Sequence, residues 1–261
     1  MLPVRVALLP SAIRDIDLAG STAVVIDVLR ATTTIVHALA AGAGEVIPCR
    51  EVDEAFAVRD RVGRGNCVLG GERHGVLIEG FDLDNSPFSY TAEAVGGKTV
   101  VFTTTNGTRA LAAARSASQV FVGAFVNLSA IVDRLRADGR AVWIVCAGTD
   151  GGVTAEDVLV AGAIAAGVLD RTGPTTSGLS VEEIERLPAD SVDALEAAIA
   201  FFLAQGQLDV SRLAAMRASR GGLNLIENQF DRDITRAAEL NVPGLDLVPA
   251  YREGRIISPG V

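Results

Sequence analysis

Acidic, basic and hydroxyl side chains cluster at five places where an apolar, strand-like run gives way to a helical pattern. In the first cluster Asp27 ends such a run, Arg30 follows three residues later, and the hydroxyls of Thr32, Thr33 and Thr34 open a helix. An arginine and the backbone N–H groups of a helix N-terminus bind anions, and a carboxylate beside them can hold a metal ion or take part in catalysis. The structural alternative is that Thr32 or Thr33 caps the helix and Asp27 is a buried, hydrogen-bonded acid.

Two further clusters follow along the chain. Glu72 and Arg73 stand side by side with glycines on both sides, which either let the backbone approach a ligand closely or simply form a turn. Asn85 and Ser86 follow two aspartates and precede a proline. That pattern fits either a polar ligand site or a helix that starts with a serine cap and a proline in its first turn.

The fourth cluster combines three consecutive threonines with an asparagine, a glycine and an arginine at a predicted strand-to-helix turn. Such a turn has the composition of a phosphate-binding loop, although it lacks the spacing of a P-loop. Three consecutive threonines have little packing rationale in a loop, so a functional interpretation is favoured. The candidate phosphate-binding residues are Thr104, Thr105, Asn106, Gly107, Thr108 and Arg109.

The fifth cluster follows an apolar run that ends near Cys146. Gly148 belongs to a glycine-rich turn, and Glu156 and Asp157 fall in the first turn of the next predicted helix. Acids at that position are favourable against the helix dipole whether or not they touch a ligand. Cys146 is a candidate nucleophile, but no partner histidine is evident in the sequence, so a buried, unreactive cysteine is favoured.

The remaining composition argues against several kinds of chemistry. The chain has two histidines and three scattered cysteines without a C-x-x-C pair, so neither a histidine-rich metal site, a structural zinc site nor a disulfide framework is indicated. There is no G-x-S-x-G motif, and Lys98, the only lysine, belongs to a predicted turn. A hard divalent cation held by carboxylates, with arginines and backbone amides for an anionic substrate, suits the side chains that remain.

Alternating strands and helices must position these clusters. Short runs that are apolar throughout, interleaved with alanine- and leucine-rich helical stretches, predict a mostly parallel or mixed sheet covered on both faces. This is a three-layer αβα architecture of the α/β class, in which ligands bind beyond the carboxyl ends of the strands. The predicted strands are 4–8, 23–26, 45–47, 67–69, 99–102, 120–122 and 142–145, and the predicted helices are 34–41, 52–62, 108–115, 128–138 and 155–170.

The C-terminal third has a different pattern. Residues 171–240 lack strand signals and are expected to form a mainly helical insertion or subdomain. Because no linker, repeat or low-complexity tract is evident, residues 1–261 are expected to form a single domain. The elements predicted here are helices at 190–205, 213–218 and 232–240 and a closing pair of strands at 245–248 and 255–257.

Charge and apolar patterning bear on partners and location. The chain has 32 acidic and 23 basic residues, a formal net charge of −9, which argues against a protein that holds nucleic-acid phosphates over a broad surface. No signal peptide and no membrane-spanning run is evident, so neither a membrane association nor export is expected. The scattered cysteines fit a reducing cytoplasm, and a homodimer is the default expectation because it is the commonest assembly.

Taken together, the five clusters resemble the motifs of the 2-phosphosulfolactate phosphatase family, in the same order and spacing over nearly the whole chain. The resemblance implies an αβα, magnesium-dependent phosphatase that removes the phosphate of (2R)-O-phospho-3-sulfolactate on the route to coenzyme M. This small anionic ester carries a phosphate, a sulfonate and a carboxylate, and Arg30, Arg73 and Arg109 are expected to bind it. One position departs from the family pattern, because Gln229 stands where a glycine is expected.

The clusters also suggest a division of roles. We expect Mg²⁺ to be held by some of Asp27, Glu72, Glu156 and Asp157. The nucleophile is either a metal-activated water or Asp27. A haloacid-dehalogenase mechanism is not assumed, because Leu29 stands where a D-x-D motif has its second acid. The expected catalytic residues are Asp27, Arg30, Glu72 and Arg73, and the expected substrate-binding residues are Thr32, Thr33, Asn85, Ser86, Gly148 and residues 104–109.

Two other functions remain open at this point. One is a phosphatase that acts on another phosphorylated hydroxy acid or on a sugar phosphate. The other is a non-catalytic protein that senses a phosphorylated or sulfonated metabolite. The acids argue against the second, because carboxylates beside an anion site repel the anion unless a cation lies between them.

Overall fold

The computed structural model describes residues 2–173 and 178–258. Within these residues, ten strands form one sheet in the order β1-β8-β2-β7-β9-β10-β3-β6-β4-β5. The strands are β1 Val4–Ala7, β2 Thr22–Ile26, β3 Glu45–Cys49, β4 Cys67–Arg73, β5 Val76–Leu77, β6 Thr99–Thr103, β7 Gln119–Val122, β8 Val142–Cys146, β9 Ala250–Arg252 and β10 Arg255–Ile257.

Two groups of parallel strands make up most of this sheet, and a hairpin joins them. In the first group β1, β8, β2 and β7 run parallel, and in the second β3, β6 and β4 do so. Between them β9 pairs antiparallel with β7, and β10 pairs antiparallel with β9 and with β3. The predicted α/β fold with a mostly parallel, mixed sheet is confirmed.

Helices cover both faces of the sheet. The helices are α1 Asp15–Leu18, α2 Ala31–Ala40, α3 Val52–Val62, α4 Ala92–Val95, α5 Gly107–Ala114, α6 Leu128–Asp138, α7 Ala155–Leu169, α8 Val181–Glu185, α9 Ala194–Phe201, α10 Asp209–Ala218, α11 Arg220–Glu227 and α12 Asp231–Ala237. Short 3₁₀ turns occupy Pro10–Ala12, Pro87–Ser89 and Phe125–Asn127, and a π-helical turn at Phe202–Gly206 continues α9.

The alternation of side chains along β2 shows the three layers. All five residues of β2 are buried. Val24 and Ile26 belong to a core that includes residues of α6, α7 and α9, whereas Ala23 and Val25 belong to a core that includes residues of α2 and α5. Strands buried on both faces are apolar throughout, which is why the sequence showed runs rather than alternation.

The helices after residue 178 pack on the same core as the sheet. Side chains of α9, α10, α11 and α12 are members of the cluster that contains β1, β2 and β8. The expectation of a mainly helical segment at 171–240 agrees with these elements, although residues 174–177 lie outside the described residues. Helix α9 begins at Ala194, later than the predicted residue 190, whereas α10 begins at Asp209, earlier than the predicted 213.

The prediction of a strand at 245–248 is wrong, because that segment is irregular and the closing hairpin is β9–β10. The Leu247 carbonyl accepts a hydrogen bond from Asn127 Nδ2 (3.0 Å), and Pro249 has no N–H to donate to a ladder. The segment is therefore held by a side chain. Within residues 2–173 and 178–258, no helix combines the length and the apolar character needed to cross a bilayer.

Candidate active site

A cavity of about 360 Å³ lies among the segments that follow β2, β4, β6 and β8, with α11 as a further wall. The two parallel groups run in opposite directions on either side of β9 and β10, and residues at strand ends of both groups line the cavity. The site is not built on one edge of a single parallel sheet. The predicted site residues that line the cavity are Asp27, Arg30, Glu72, Asn85, Thr104, Thr105 and Asn106.

Asp27 follows β2 and is buried beside the cavity. The backbone N–H groups of Ala31 and Gly107 are close enough to its carboxylate to favour the charged form. Gly107 lies so close that a Cβ at that position would be 2.9 Å from Asp27 Oδ2. Burial raises the pKa of Asp27 to about 7, and the nearby Glu72 carboxylate adds to the shift. The site therefore holds two acids close together, an arrangement that a cation would stabilise.

Glu72 connects two of the loops that line the cavity. At the end of β4, its Oε1 accepts a hydrogen bond from the backbone N–H of Thr105 (2.9 Å), and its Oε2 accepts one from the N–H of Gly75 (2.7 Å). These contacts fix the threonine turn after β6 against the loop after β4. The two strand ends that meet here belong to the second parallel group, and Asp27 comes from the first.

Three polar atoms at the cavity wall are buried without an internal partner. Asn85 Oδ1, Thr104 Oγ1 and Thr105 Oγ1 have no hydrogen-bond partner among the described residues, and Asn85 and Thr104 are each only 3% exposed. Leaving a buried polar group unpaired costs about 1–3 kcal/mol. Because these atoms border the cavity, they indicate a site built to hydrogen-bond a ligand.

Arg30 lines the cavity, but its guanidinium is already paired with other groups of the protein. Nη1 donates to Asp233 Oδ2 (2.9 Å), Nη2 donates to the Gly75 carbonyl (2.9 Å), and the group stacks 4.1 Å from the Phe230 ring centroid. Asp233 also accepts a hydrogen bond from Ser86 Oγ (2.8 Å). Ser86 thus supports Arg30 through Asp233, and the sequence did not predict this network.

Asp157 and Glu156 lie behind the cavity wall, outside its lining. Asp157 accepts three backbone N–H groups, from Val28 (2.9 Å), Ala147 (3.2 Å) and Gly148 (3.0 Å). It therefore ties the loop after β2 to the loop after β8. Burial raises the pKa of Asp157 well above its usual range, as do the Glu156 and Asp27 carboxylates, while its N–H donors oppose the shift.

Glu156 is buried beneath α11. A Cβ on Gly221 would lie 2.1 Å from Glu156 Oε1, and Oε2 has no partner among the described residues. Burial raises the pKa of Glu156 to about 7. The model therefore does not bring the two predicted ligands of α7 to the cavity surface.

The other predicted threonine and glycine ligands do not line the cavity and instead hold the backbone around it. Asp27 N donates to Thr32 Oγ1 (3.3 Å), Thr33 Oγ1 donates to the Val28 carbonyl (2.9 Å), and Thr108 Oγ1 donates to the Thr104 carbonyl (3.0 Å). Gly148 has φ +64°, and a Cβ there would lie 2.4 Å from the Gly152 carbonyl oxygen. Gly107 likewise serves by having no side chain.

Two predicted arginines lie away from the cavity. Arg73 donates its guanidinium to the backbone carbonyls of Glu72 (3.1 Å) and Arg50 (2.5 Å). Arg109 is exposed on α5 and is absent from the cavity lining. A side chain in the first turn of a helix can point to either side of the loop before it, and the sequence alone did not give that direction.

Several lining residues were not predicted. They are His74, Thr149, Asp150, Arg220, Asn224 and Glu227. The serine at 219, which caps α11 by accepting a hydrogen bond from the Gly222 N–H, was the local signal for the start of this helix. Cys146 is fully buried, and burial raises the pKa of its thiol well above its usual range, so the unreactive interpretation holds. All three cysteines are free and buried.

The donors at this site suit Mg²⁺. The cavity presents the Asp27 and Glu72 carboxylates together with amide and hydroxyl oxygens, which are the hard oxygen ligands that Mg²⁺ prefers. In the described part of the chain, no group of three or more His, Cys, Asp or Glu side chains forms a ready-made metal site. Mg²⁺ usually binds through one or two carboxylates plus substrate phosphate and water, so this observation fits a substrate-completed site.

Known proteins resemble this chain over most of its length. A family model described as 2-phosphosulpholactate phosphatase matches residues 7–254. A probable 2-phosphosulfolactate phosphatase of Symbiobacterium thermophilum is 39% identical over 245 residues, covering 92% of this chain and 95% of that relative.

Shorter matches have higher identity. A protein of the same name from Caldanaerobacter subterraneus subsp. tengcongensis is 49% identical over 154 residues, covering 59% of this chain and 64% of the relative, which is less than two thirds of its length. One from Thermotoga petrophila is 47% identical over 143 residues, covering 55% of this chain and 60% of the relative. The chain belongs to the 2-phosphosulpholactate phosphatase family.

Proposed function

We propose that this protein hydrolyses 2-phosphosulfolactate to 3-sulfolactate and inorganic phosphate with Mg²⁺. The observation that carries the proposal is the set of buried, unpaired polar atoms of Asn85, Thr104 and Thr105 beside the Asp27 and Glu72 carboxylates. Unpaired polar atoms supply hydrogen bonds to a ligand, and the two carboxylates have no purpose beside an anion unless a cation joins them. The names of the relatives support this substrate.

Asp27 and Glu72 are the residues that would hold the metal. When bound, Mg²⁺ supplies positive charge that polarises the phosphoryl group and stabilises the charge developing on its oxygens. In this proposal Glu156 and Asp157 do not bind the metal. Asp157 instead holds the loop after β2 against the loop after β8 and so positions Asp27.

The chain's own residues bind and orient the phosphate. The hydroxyls of Thr104 and Thr105 can donate to phosphate oxygens, and the turn that carries them is held by the Glu72 contact to Thr105 N. The nucleophile, a water or the Asp27 carboxylate, attacks phosphorus, and the bond from phosphorus to the ester oxygen breaks. The departing alkoxide takes a proton from water and leaves as the hydroxyl of sulfolactate. If Asp27 is the nucleophile, a water then hydrolyses the aspartyl phosphate, which releases inorganic phosphate and restores the carboxylate.

Substitution of the two carboxylates tests the proposal. We expect Asp27→Asn and Glu72→Gln each to lower kcat about 100-fold or more at saturating Mg²⁺. Asp246→Asn, an exposed acid outside the cavity, is the matched control and should leave kcat unchanged. EDTA should abolish phosphate release, and added Mg²⁺ should restore it. Near wild-type turnover in both cavity variants would show that the proposed site is wrong.

The proposal extends to the setting that the family resemblance implies. In it the reaction lies on the route to coenzyme M, in the cytoplasm, with a small anionic phosphate ester as the partner. A panel of phosphorylated hydroxy acids and sugar phosphates, assayed for phosphate release, tests the substrate. The highest kcat/KM is expected for 2-phosphosulfolactate.

A further inference from the structure

Arg220 is the cavity-lining arginine whose guanidinium can bind a ligand. The arginines and lysines among the cavity-lining residues are Arg30 and Arg220, and Arg30 is paired with Asp233. Arg220 donates its backbone N–H to Glu185 Oε1 (2.8 Å). Among the residues that the structure describes, no carboxylate or other acceptor pairs with its guanidinium.

A glycine makes room for this guanidinium. A Cβ on Gly152 would lie 1.9 Å from Arg220 Nη1 and 3.0 Å from Cζ. The absence of a side chain at Gly152 therefore lets the guanidinium rest on the turn that follows β8, at the edge of the cavity. The same turn contributes Thr149 and Asp150 to the cavity lining.

Asn224 lies on the same face of α11 as Arg220, one turn further on, and also lines the cavity. Its Oδ1 accepts a hydrogen bond from Asn228 Nδ2 (3.0 Å). The NH₂ group of Asn224 is thus the end left to donate to a ligand. Asp150 and Glu227 line the cavity as well, so without Arg220 the residues on this side would repel an anion.

The chemistry of the substrate indicates which group meets this wall. In 2-phosphosulfolactate, the phosphate and the carboxylate are both attached to the central carbon, whereas the sulfonate is one carbon further away. A carboxylate therefore stays near the reacting phosphorus, and the sulfonate reaches furthest from it. A sulfonate is permanently anionic with three oxygens, which a guanidinium fork and an amide NH₂ can bind together.

We propose that Arg220 and Asn224 form the binding site for the substrate's sulfonate group, and that Arg220 sets the preference for a sulfonated substrate. This inference rests on the proposed function. The phosphate end of the cavity is provided by Asp27, Glu72 and the threonine turn after β6. Helix α11, through Arg220 and Asn224, provides the end of the cavity that binds the sulfonate.

The test compares 2-phosphosulfolactate with 2-phospholactate, which keeps the phosphate and the carboxylate and lacks the sulfonate. We expect Arg220→Gln to lower kcat/KM for 2-phosphosulfolactate about 10- to 100-fold, mainly through KM, and to change kcat/KM for 2-phospholactate less than about 3-fold. Gly152→Ala should shift the same ratio in the same direction by a smaller factor, because it displaces the guanidinium and keeps its charge.

Arg217→Gln is the matched control, because Arg217 pairs with Asp231 on α12 (2.7 Å) and does not line the cavity. Arg217→Gln should leave kcat/KM unchanged for both substrates. An equal fall in kcat/KM for both substrates in Arg220→Gln would show that Arg220 supports the fold or binds the carboxylate. If the ratio of the two kcat/KM values did not change, Arg220 would have no role in specificity. Either result overturns the inference.

The proposed function fails in a different way, if the wild-type protein releases no phosphate from 2-phosphosulfolactate. Calorimetry with 3-sulfolactate then decides the role of Arg220 by itself. Weaker binding by Arg220→Gln than by the wild type supports the sulfonate site, and equal or absent binding in both overturns it.

Discussion

At the scale of single residues, the buried ion pair of Arg30 and Asp233 sets the geometry of the cavity wall. The two side chains are 2% and 1% exposed and lie 2.9 Å apart. Removing one partner of such a pair leaves an uncompensated buried charge, which costs about 3–5 kcal/mol. We therefore expect Asp233→Ala to lower the free energy of unfolding by about 3 kcal/mol or more, as measured by urea denaturation.

A nearby ion pair provides the control for this prediction. Arg217 and Asp231 also form an ion pair, but their side chains are 41% and 49% exposed. A pair in solvent contributes about 0–1 kcal/mol, so Asp231→Ala should cost less than about 1 kcal/mol. Similar losses in the two variants would mean that the burial of Arg30 does not decide its energetics.

Gln229 adopts a backbone conformation that favours glycine, the residue that the family resemblance led us to expect at this position. Its φ is +65°, in the left-handed region, which costs a residue with a Cβ about 1–2 kcal/mol. Gln229→Gly removes that strain but gives the unfolded chain more freedom. We expect a net gain of about 0.5–1 kcal/mol in the free energy of unfolding, measured by urea denaturation.

Asn241 is the contrasting case, because its φ is +51° and its Oδ1 accepts a hydrogen bond from Ser129 N (2.7 Å). Asn241→Gly should lower the free energy of unfolding, since the lost hydrogen bond outweighs the relieved strain. If Gln229→Gly were destabilising as well, the conformation of residue 229 would not be the source of strain.

The arginines show the limit of predicting the site from sequence at this scale. Strand ends located Asp27, Glu72 and the threonine turn, because a residue's place along a strand is fixed by local pattern. Which way an arginine points depends on packing partners far away in the chain. Arg109 is exposed on α5, whereas Arg220, given no role by the sequence, reaches the cavity through the fold of the C-terminal helices.

At the scale of elements, α7 and α9 are in close contact at Gly162. A Cβ at this position would lie 2.0 Å from the Ala198 carbonyl oxygen and 2.8 Å from Phe202 Cβ. Backbone cannot move aside as a side chain can, so Gly162→Ala should force the helices apart. Overpacking costs about 1–3 kcal/mol, partly offset by the higher helix propensity of alanine, about 1 kcal/mol.

We expect Gly162→Ala to lower the midpoint of thermal unfolding, measured by circular dichroism. Gly65→Ala is the control, because no atom lies within 4 Å of a Cβ built there and it should change stability by less than about 0.5 kcal/mol. An unchanged midpoint for Gly162→Ala would show that α9 can shift without cost.

The elements themselves were largely predictable, and the way they connect was not. Periodicity located α3 and α6 with their exact bounds, 52–62 and 128–138, because these helices have long amphipathic patterns and clear ends. In the closing hairpin the sequence located β10 at 255–257 but placed its partner at 245–248, because β9 has only three residues and little alternation signal. This hairpin connects the two parallel groups and reverses the strand direction between them. Its pairings with β7 and β3 join residues far apart in the sequence, so no local pattern predicts them.

At the scale of the whole molecule, stability should depend on pH through His37 on α2. Burial, together with the nearby Arg236 charge, lowers the pKa of His37 to about 4 from an ordinary value of 6.5. Its Nε2 is buried without a partner among the described residues. The folded state therefore keeps His37 neutral at pH values where the unfolded chain has already bound a proton.

The sign follows from this difference in proton binding. Between pH 6.5 and 4 the unfolded chain holds more protons than the folded protein, so the free energy of unfolding falls as the pH falls through that window. His37→Gln removes this contribution to the pH dependence of the free energy of unfolding. Because His37 is only partly buried, we expect the wild type to lose about 1 kcal/mol more than the variant between pH 7 and pH 5, in urea unfolding at each pH. Arg236→Gln should reduce the difference, and parallel pH profiles for wild type and His37→Gln would show that His37 is not the group that titrates.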